Sequence, residues 1–537
     1  MNKYIHINVL IAVIAVVGLA GCTKQFDAIN TDPNGPVKIE PDFLFTGSVF
    51  NTLNIYGGSM NRVVFFNYTQ HFSGFQGEFQ RFNYSNADNN LYWRQTYVNA
   101  LQPVHRIVEE YQDDPSYHNR VVIANIWKAY LFSNTLSIWG GIPMEGALLG
   151  EPNVPFTAEQ EAYTLLLAEL KTLAEQIDLD GDSFAPGADK IYGGDLLKWK
   201  KFATTLRFRL AMRISNPAPN GNPELAEQVV AEIYDQRQYL IGSEEETAKA
   251  KWGTTSDDWN PLYDRIVYNY EANIATIPVL GESLVYHTAP YHDPRLRIWA
   301  KPATQGPYTG QYMGQNISYG GGNEFAANPQ DNPHTGLKQV DYSAIGDVFS
   351  KADAYYTFLS HAEAALLKAE AALNGWWPEA ADQLYYEGID ASMTQFGVSA
   401  EEAQRYKSVP GIAWGTAADT VGRESEFKDW LQICSSAISA GDYKKQIIMQ
   451  HWLALPMQGV DAWALLRRTQ LLEFQPQFAT YDGNYKYMPQ RLPYPSDEYN
   501  TNGSEVQKAV TALGGDDGLE TKLWFALPTR KNPYLPY

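Results

Sequence analysis

Apolar side chains recur three and four positions apart along much of the chain, and each such run ends at a turn signal before the next begins. From Asp353 to Leu373, the positions Phe358, Ala362, Ala365, Leu366, Ala369, Ala372 and Leu373 keep the spacing of one helix face. Asn374-Gly375 supplies a stop, Pro378 sits where a first helical turn tolerates it, and Ala380 to Ile389 resumes the pattern. The pattern predicts a helical hairpin whose many alanines permit close packing. Similar helices are predicted from Asn119 to Ile138, Glu161 to Ile177, Leu196 to Ile214, Glu224 to Tyr234 and Tyr443 to Leu455. Strand signals are sparse. Helical pairs in this order predict a mainly α fold, a tetratricopeptide-like superhelix with long aromatic loop insertions, although no strict repeat of about 34 residues is present.

Two stretches break the helical period. Phe65 to Trp93 and Trp252 to Tyr319 are rich in Gly, Asn, Tyr, Phe and Trp. Loops this long inside a compact protein are usually functional or disordered, and so many aromatic residues argue against disorder. Ligand-binding loops are therefore expected around 65–93 and 252–345. Sugar rings expose C–H faces that pack on aromatic planes, while their hydroxyls need amides and carboxylates nearby. Phe75, Phe79 and Tyr84 stand among Gln76, Gln80, Asn83 and Asn86; Trp259, Tyr263, Tyr308, Tyr312 and Tyr319 stand among Asp258, Asn260 and Asn316. These eight rings are the candidate ligand contacts. The segment Tyr308 to Tyr319 is the strongest, because Gly310 and Gly314 leave its rings uncovered by bulky neighbours. The competing reading is that the rings only pin the loops to the scaffold.

Residues 1–21 read as a signal peptide. After Lys3, the run Val9 to Ala20 is unbroken and apolar but too short to cross a bilayer of about 30 Å. Leu19-Ala20-Gly21-Cys22 resembles the lipobox of a bacterial lipoprotein, which would make Cys22 an acylated N-terminus; the competing reading is an ordinary secretory signal. Residues 22–40, with Pro33, Gly35 and Pro36, read as a flexible leader, and 41–537 as a single helical domain. No later stretch reaches about 18 apolar residues, so any membrane attachment is expected through the lipid alone.

Composition narrows the function. The 537 residues carry 41 basic and 61 acidic side chains, a net charge of −20 that repels nucleic acid. Two cysteines, Cys22 and Cys434, make neither a zinc site nor a disulfide framework, and Cys434 is expected to be a buried, inert thiol. Asp178, Asp180 and Asp182 have the alternate spacing of a calcium loop, but Ser183 stands where glycine is required and Asp189 where a bidentate Glu belongs. A solvated acidic turn is expected instead. His287, His292 and Asp293 fit no zinc motif. The chain has no G-x-S-x-G elbow and no H-E-x-x-H, so neither metal, cofactor nor catalytic residue is predicted.

Several segments together resemble the SusD/RagB family of nutrient-binding outer-membrane lipoproteins, in its SusD-like branch. They are Trp139-Gly140-Gly141-Ile142-Pro143, Asp189 to Arg213, Asp293-Pro294-Arg295-Leu296, Ala362 to Gly375, Gln450 to Arg468, and Arg491 to Asn502. The resemblance implies a tetratricopeptide-like scaffold at the cell surface, facing outward as a lid over a SusC-like TonB-dependent transporter, binding nutrient without catalysis. Taken with the aromatic loops it points to oligosaccharide as the ligand. Oligopeptide is the alternative on the same scaffold. A helical glycoside hydrolase is the alternative of another class, and it needs two carboxylates about 5–9 Å apart. The segments themselves have architectural readings: Gly-Gly-Ile-Pro as a helix stop, Arg207, Arg209 and Arg213 paired with carboxylates or carbonyls, and Arg491 to Tyr499 as a strand or loop docked on the scaffold.

Overall fold

The computed structural model describes residues 38–73, 85–256, 258–263, 277–315, 337–418, 438–472 and 488–528. Among its α-helices are α1 (Pro41–Thr52), α2 (Gln102–Tyr111), α3 (His118–Trp139), α4 (Glu159–Gln176), α5 (Leu196–Arg213), α6 (Pro223–Asp235), α7 (Glu282–Thr288), α8 (His361–Leu373), α9 (Ala381–Gln395), α10 (Ala400–Lys407), α11 (Tyr443–Leu453) and α12 (Gly459–Thr469). Neighbours in sequence pack on each other: α2 on α3, α3 on α4, α4 on α5, α5 on α6, and α8 on α9. This is the predicted arrangement of helical pairs. Pro41 to Tyr537 forms one compact unit.

Helix α3 is the axis of the fold, because every residue from Ile126 to Trp139 is buried. A helix that is apolar all round has no face for water and must be wrapped by its neighbours. Asp182 closes its N-terminus, accepting from the backbone N–H of Asn119 at 2.7 Å and of Arg120 at 3.3 Å. The acidic turn is thus a helix cap. At the other end, Gly140 has a φ of 94°, and the chain turns away as the Gly-Gly-Ile-Pro sequence predicts.

The predicted helix over Asp353 to Leu373 starts late. Ser360 is extended and its hydroxyl caps Glu363 N, so α8 begins at His361. Before it, Tyr356–Leu359 is a fully buried strand, paired antiparallel with Ala248–Ala250. Four consecutive apolar or β-branched residues buried on both faces suit a strand as well as a helix. The aromatic stretches also contain regular structure: Phe72–Ser73 pairs with Val279–Leu280, stitching the two loops together, and α7 lies inside the second. Two π-helices, Leu53–Phe65 and Thr96–Leu101, complete the N-terminal layer.

Buried arginines lock the helices in register. Arg209 on α5 donates to Glu363 of α8 at 2.6 Å, to Asp461 of α12 at 3.0 Å and to the Phe358 carbonyl at 2.8 Å. Arg213 binds the same Asp461 and Ser137 of α3, each at 2.6 Å. Arg207 reaches the Leu167 carbonyl and Glu232, as predicted for this trio. Arg491, fully buried in an extended segment, donates to the Trp139 carbonyl and Asp517. Removing one partner of such a pair strands a charge in the core.

Buried histidines set an acid limit on stability. His71 stacks on Trp452 at 4.2 Å and His287 meets the same ring edge-on at 5.1 Å. Burial lowers His71 to about 3 and His287 to about 4, below the roughly 6.5 of an unfolded chain. From pH 6.5 down to 4 the unfolded chain binds two protons that the folded protein refuses, and each costs about 1.4 kcal/mol per pH unit. Glu159 opposes them, because burial raises it to about 7 and the folded protein keeps a proton that the unfolded chain releases down to about pH 4.5. Two histidines outweigh Glu159, so stability is expected to fall as pH drops from 6.5 to 4.5, less steeply near the lower end, where Glu498, also raised by burial, adds to Glu159. Below that the loss steepens. Burial alone would raise Glu363 and Glu370, but Arg209 and Arg468 outweigh it and hold both well below the usual range, so protonation there breaks ion pairs. Urea midpoints at half-unit pH steps measure this, and a midpoint constant from pH 7 to 4 would contradict it.

Candidate ligand-binding cleft

After α7 the chain makes one 3-10 turn, Ala289–Tyr291, and reverses at His292, whose φ of 53° is left-handed. The turn delivers Asp293 and Arg295 to the interior, where both side chains are 0% exposed and pair at 2.6 Å. Arg295 also donates to Ser392 of α9 at 2.7 Å and to Gln450 of α11 at 3.0 Å. Gln450 in turn donates to the Tyr406 hydroxyl of α10 at 2.8 Å. One guanidinium therefore ties three helices together as a fixed floor.

Above this floor opens a cleft of about 610 Å³, lined by Tyr312, Arg297, His292, Glu402, Arg405 and Tyr406 with the apolar Ala289, Pro294, Leu296 and Val409. Tyr312 is half-buried on one wall. Partial burial raises its phenol above the ordinary value, so the hydroxyl is neutral at pH 7 and serves as donor and acceptor. Helix α10 supplies Glu402, Arg405 and Tyr406 to the lining, and at its start Ser399 and Glu402 form a capping box. The Ser399 hydroxyl at 2.8 Å, and then Arg297 at 2.8 Å, hold the Glu402 carboxyl below its usual range. Arg405 pairs with Glu401 one turn back at 2.6 Å, with both side chains exposed. The arrangement offers an aromatic wall, a polar rim of both charges and an apolar base.

A family model described as starch-binding and associating with the outer membrane matches residues 33–495. The chain belongs to this SusD-like family. Among solved structures, a SusD homologue from Bacteroides uniformis superposes with a TM-score of 0.73 at 22% identity, over 91% of this chain and 100% of the other. A chitin-binding SusD homologue from Flavobacterium johnsoniae gives 0.72 at 22%, with the same two coverages. One from Parabacteroides distasonis gives 0.72 at 19%, over 91% and 98%. The fold is that of SusD homologues. None of the curated proteins compared matches the chain in sequence.

In this SusD-like chain Tyr312 is the one predicted contact, among the described residues, that lines the cleft. Tyr308 packs half-buried against Val279, Met313 and Tyr342. The two glycines beside them differ in role: Gly310 has a φ of 83° and open space, whereas a Cβ on Gly314 would lie 2.5 Å from the Glu282 Cα. Gly314 serves close backbone approach, not exposure of rings. Trp259 and Tyr263 meet edge to face at 5.1 Å, and the Trp259 indole donates to the Thr254 carbonyl at 3.0 Å. Beside them, Asp258 binds Lys190 at 2.7 Å and Asn260 binds the Ala354 carbonyl. These two rings pack on each other and do not line this cleft. Phe75, Phe79, Tyr84, Tyr319, Cys22 and Cys434 lie outside the described residues. His287 Nδ1 contacts the Ser283 carbonyl at 2.7 Å, while Asp293 is spent on Arg295. Among the described residues no three His, Cys, Asp or Glu side chains are grouped to hold a metal.

Arg297, Glu402 and Arg405 were not legible as site residues. Glu401 and Arg405 have the i,i+4 spacing of any solvated helix face, and only the fold brings α10 opposite Tyr312.

Proposed function

We propose that the protein captures oligosaccharide at the cell surface in the Tyr312 cleft, leaves it intact, and passes it to a SusC-like TonB-dependent transporter. The observation that carries this reading is the cleft itself, whose volume falls in the range of roughly 300–1,000 Å³ typical of ligand sites and whose aromatic wall faces a charged rim. The SusD-like family and the chitin-binding homologue support a glycan as the ligand. The absence of cleavage is supported by where, among the described residues, the carboxylates with raised pKa sit. Burial raises Glu159 and Glu498, but they accept from the Trp524 N–H and the Trp93 indole and line no part of the cleft. Glu402, at the rim, is held ionised and is a poor general acid. Retention on polysaccharide gels, with assay of released reducing ends, tests both parts; retention by peptide alone would favour the oligopeptide reading.

In this reading Cys22 carries the lipid. Cys22→Ala is expected to leave the protein soluble or unprocessed, while the native chain stays with membranes through a carbonate wash and co-elutes with a barrel in mild detergent. Full membrane retention of Cys22→Ala would contradict the anchor. Recovery of the native chain entirely alone would contradict the partner.

A further inference from the structure

We infer that the cleft selects saccharides bearing an anionic group on the ring, a uronate carboxylate or a sulfate ester, over neutral ones. The inference rests on the glycan reading above and assigns its substrate class. Among the described residues, four charged side chains line the cleft: Asp293, Arg297, Glu402 and Arg405. Asp293 is neutralised from beneath by Arg295, with both 0% exposed. Two guanidinium groups and one carboxylate then remain in the lining, with Glu401 paired to Arg405 beside it. That carboxylate, Glu402, is also committed to the Ser399 hydroxyl at the start of α10, so it is held in place and does not swing into the cleft.

The guanidinium groups remain available. Arg297 and Arg405 are 50% and 64% exposed, and each makes a single ion pair that water already weakens. A guanidinium carries five donors in a planar fork that fits carboxylate and sulfate oxygens in pairs. A ring resting on Tyr312 would bring its acidic substituent to this rim, exchanging a solvated pair for a charge-assisted one. The net charge of −20 opposes such a ligand only at long range, since salt screens exposed charges beyond about 8 Å. At the rim Glu401, 82% exposed, is the partner that a ligand anion would displace to reach Arg405.

The test uses the chain lacking residues 1–22 and matched polymers: polygalacturonate, alginate and hyaluronate, each beside its carboxyl-reduced counterpart, and dextran sulfate beside dextran. At least one acidic polymer is expected to bind tenfold or more tightly than its neutral counterpart at low salt, and the preference should shrink as salt rises. The dextran pair separates sulfate from carboxylate. In Arg297→Gln/Arg405→Gln the preference should fall to within twofold; should that variant fail to fold, the native protein's ratios alone decide. Neutral polymers bound as tightly as acidic ones would overturn the inference and leave the glycan reading standing. Binding to no polymer of either kind would overturn both.

Discussion

Arg295→Ala is expected to destabilise the protein by about 3–5 kcal/mol, the cost of stranding a buried charge. Its partner Asp293 is 0% exposed and would lose its paired cation, while Ser392 and Gln450 would each lose a donor. The Coulomb term alone does not produce this figure, because burying the pair already cost most of what its attraction returns. The loss comes from the carboxylate left behind. Asp293→Leu/Arg295→Met removes both charges and should recover a large part of the stability, which a role for Arg295 in packing alone would not predict. Urea unfolding of the two variants decides. A single variant within about 1 kcal/mol of the parent would show that the floor of the cleft does not depend on this pair.

Tyr312→Ala is expected to weaken glycan binding by about 1–3 kcal/mol, roughly 5- to 150-fold, by analogy with bases stacked on aromatic side chains. Tyr312 is half-buried and packs at its inner edge on the core, so its stability cost should be modest. Trp259→Ala and Tyr308→Ala are the contrast. Their rings pack on Tyr263 and on the cluster of Val279, Met313 and Tyr342, and their loss should lower melting temperature without changing affinity. Calorimetric titration and thermal melts of the three variants separate the roles; equal affinity losses in all three would return the site to the whole aromatic loop.

The helices were legible wherever burial followed the 3.6-residue period. α3 to α6 and α11 lie within about two residues of their predicted ends, since Gly140, Asp195 and Asn222 mark boundaries by local chemistry. The π-helices were not legible. Leu53, Ile55, Tyr56, Gly57, Gly58, Met60, Asn61, Val64 and Phe65 are all buried, so burial there follows no single helix face. The start of α8 was misplaced because Tyr356–Leu359 is buried on both faces and carries no alternation. Of the site, Tyr312 was legible because an aromatic ring between glycines in a long loop is already unusual. The rim opposite it comes from a helix nearly ninety positions later, whose charges pair locally and give no sign of facing a cleft.

The central claim is that the Tyr312 cleft holds a glycan without cleaving it. Calorimetric titration of the chain lacking residues 1–22 with the polysaccharide that retards it most, run on the parent and on Tyr312→Ala with reducing ends assayed afterwards, tests that claim directly. Saturable binding to the parent, at least fivefold weaker binding to an equally stable Tyr312→Ala, and no new reducing ends in either are expected. Unchanged affinity in Tyr312→Ala, or reducing ends that accumulate with the parent, would contradict the claim.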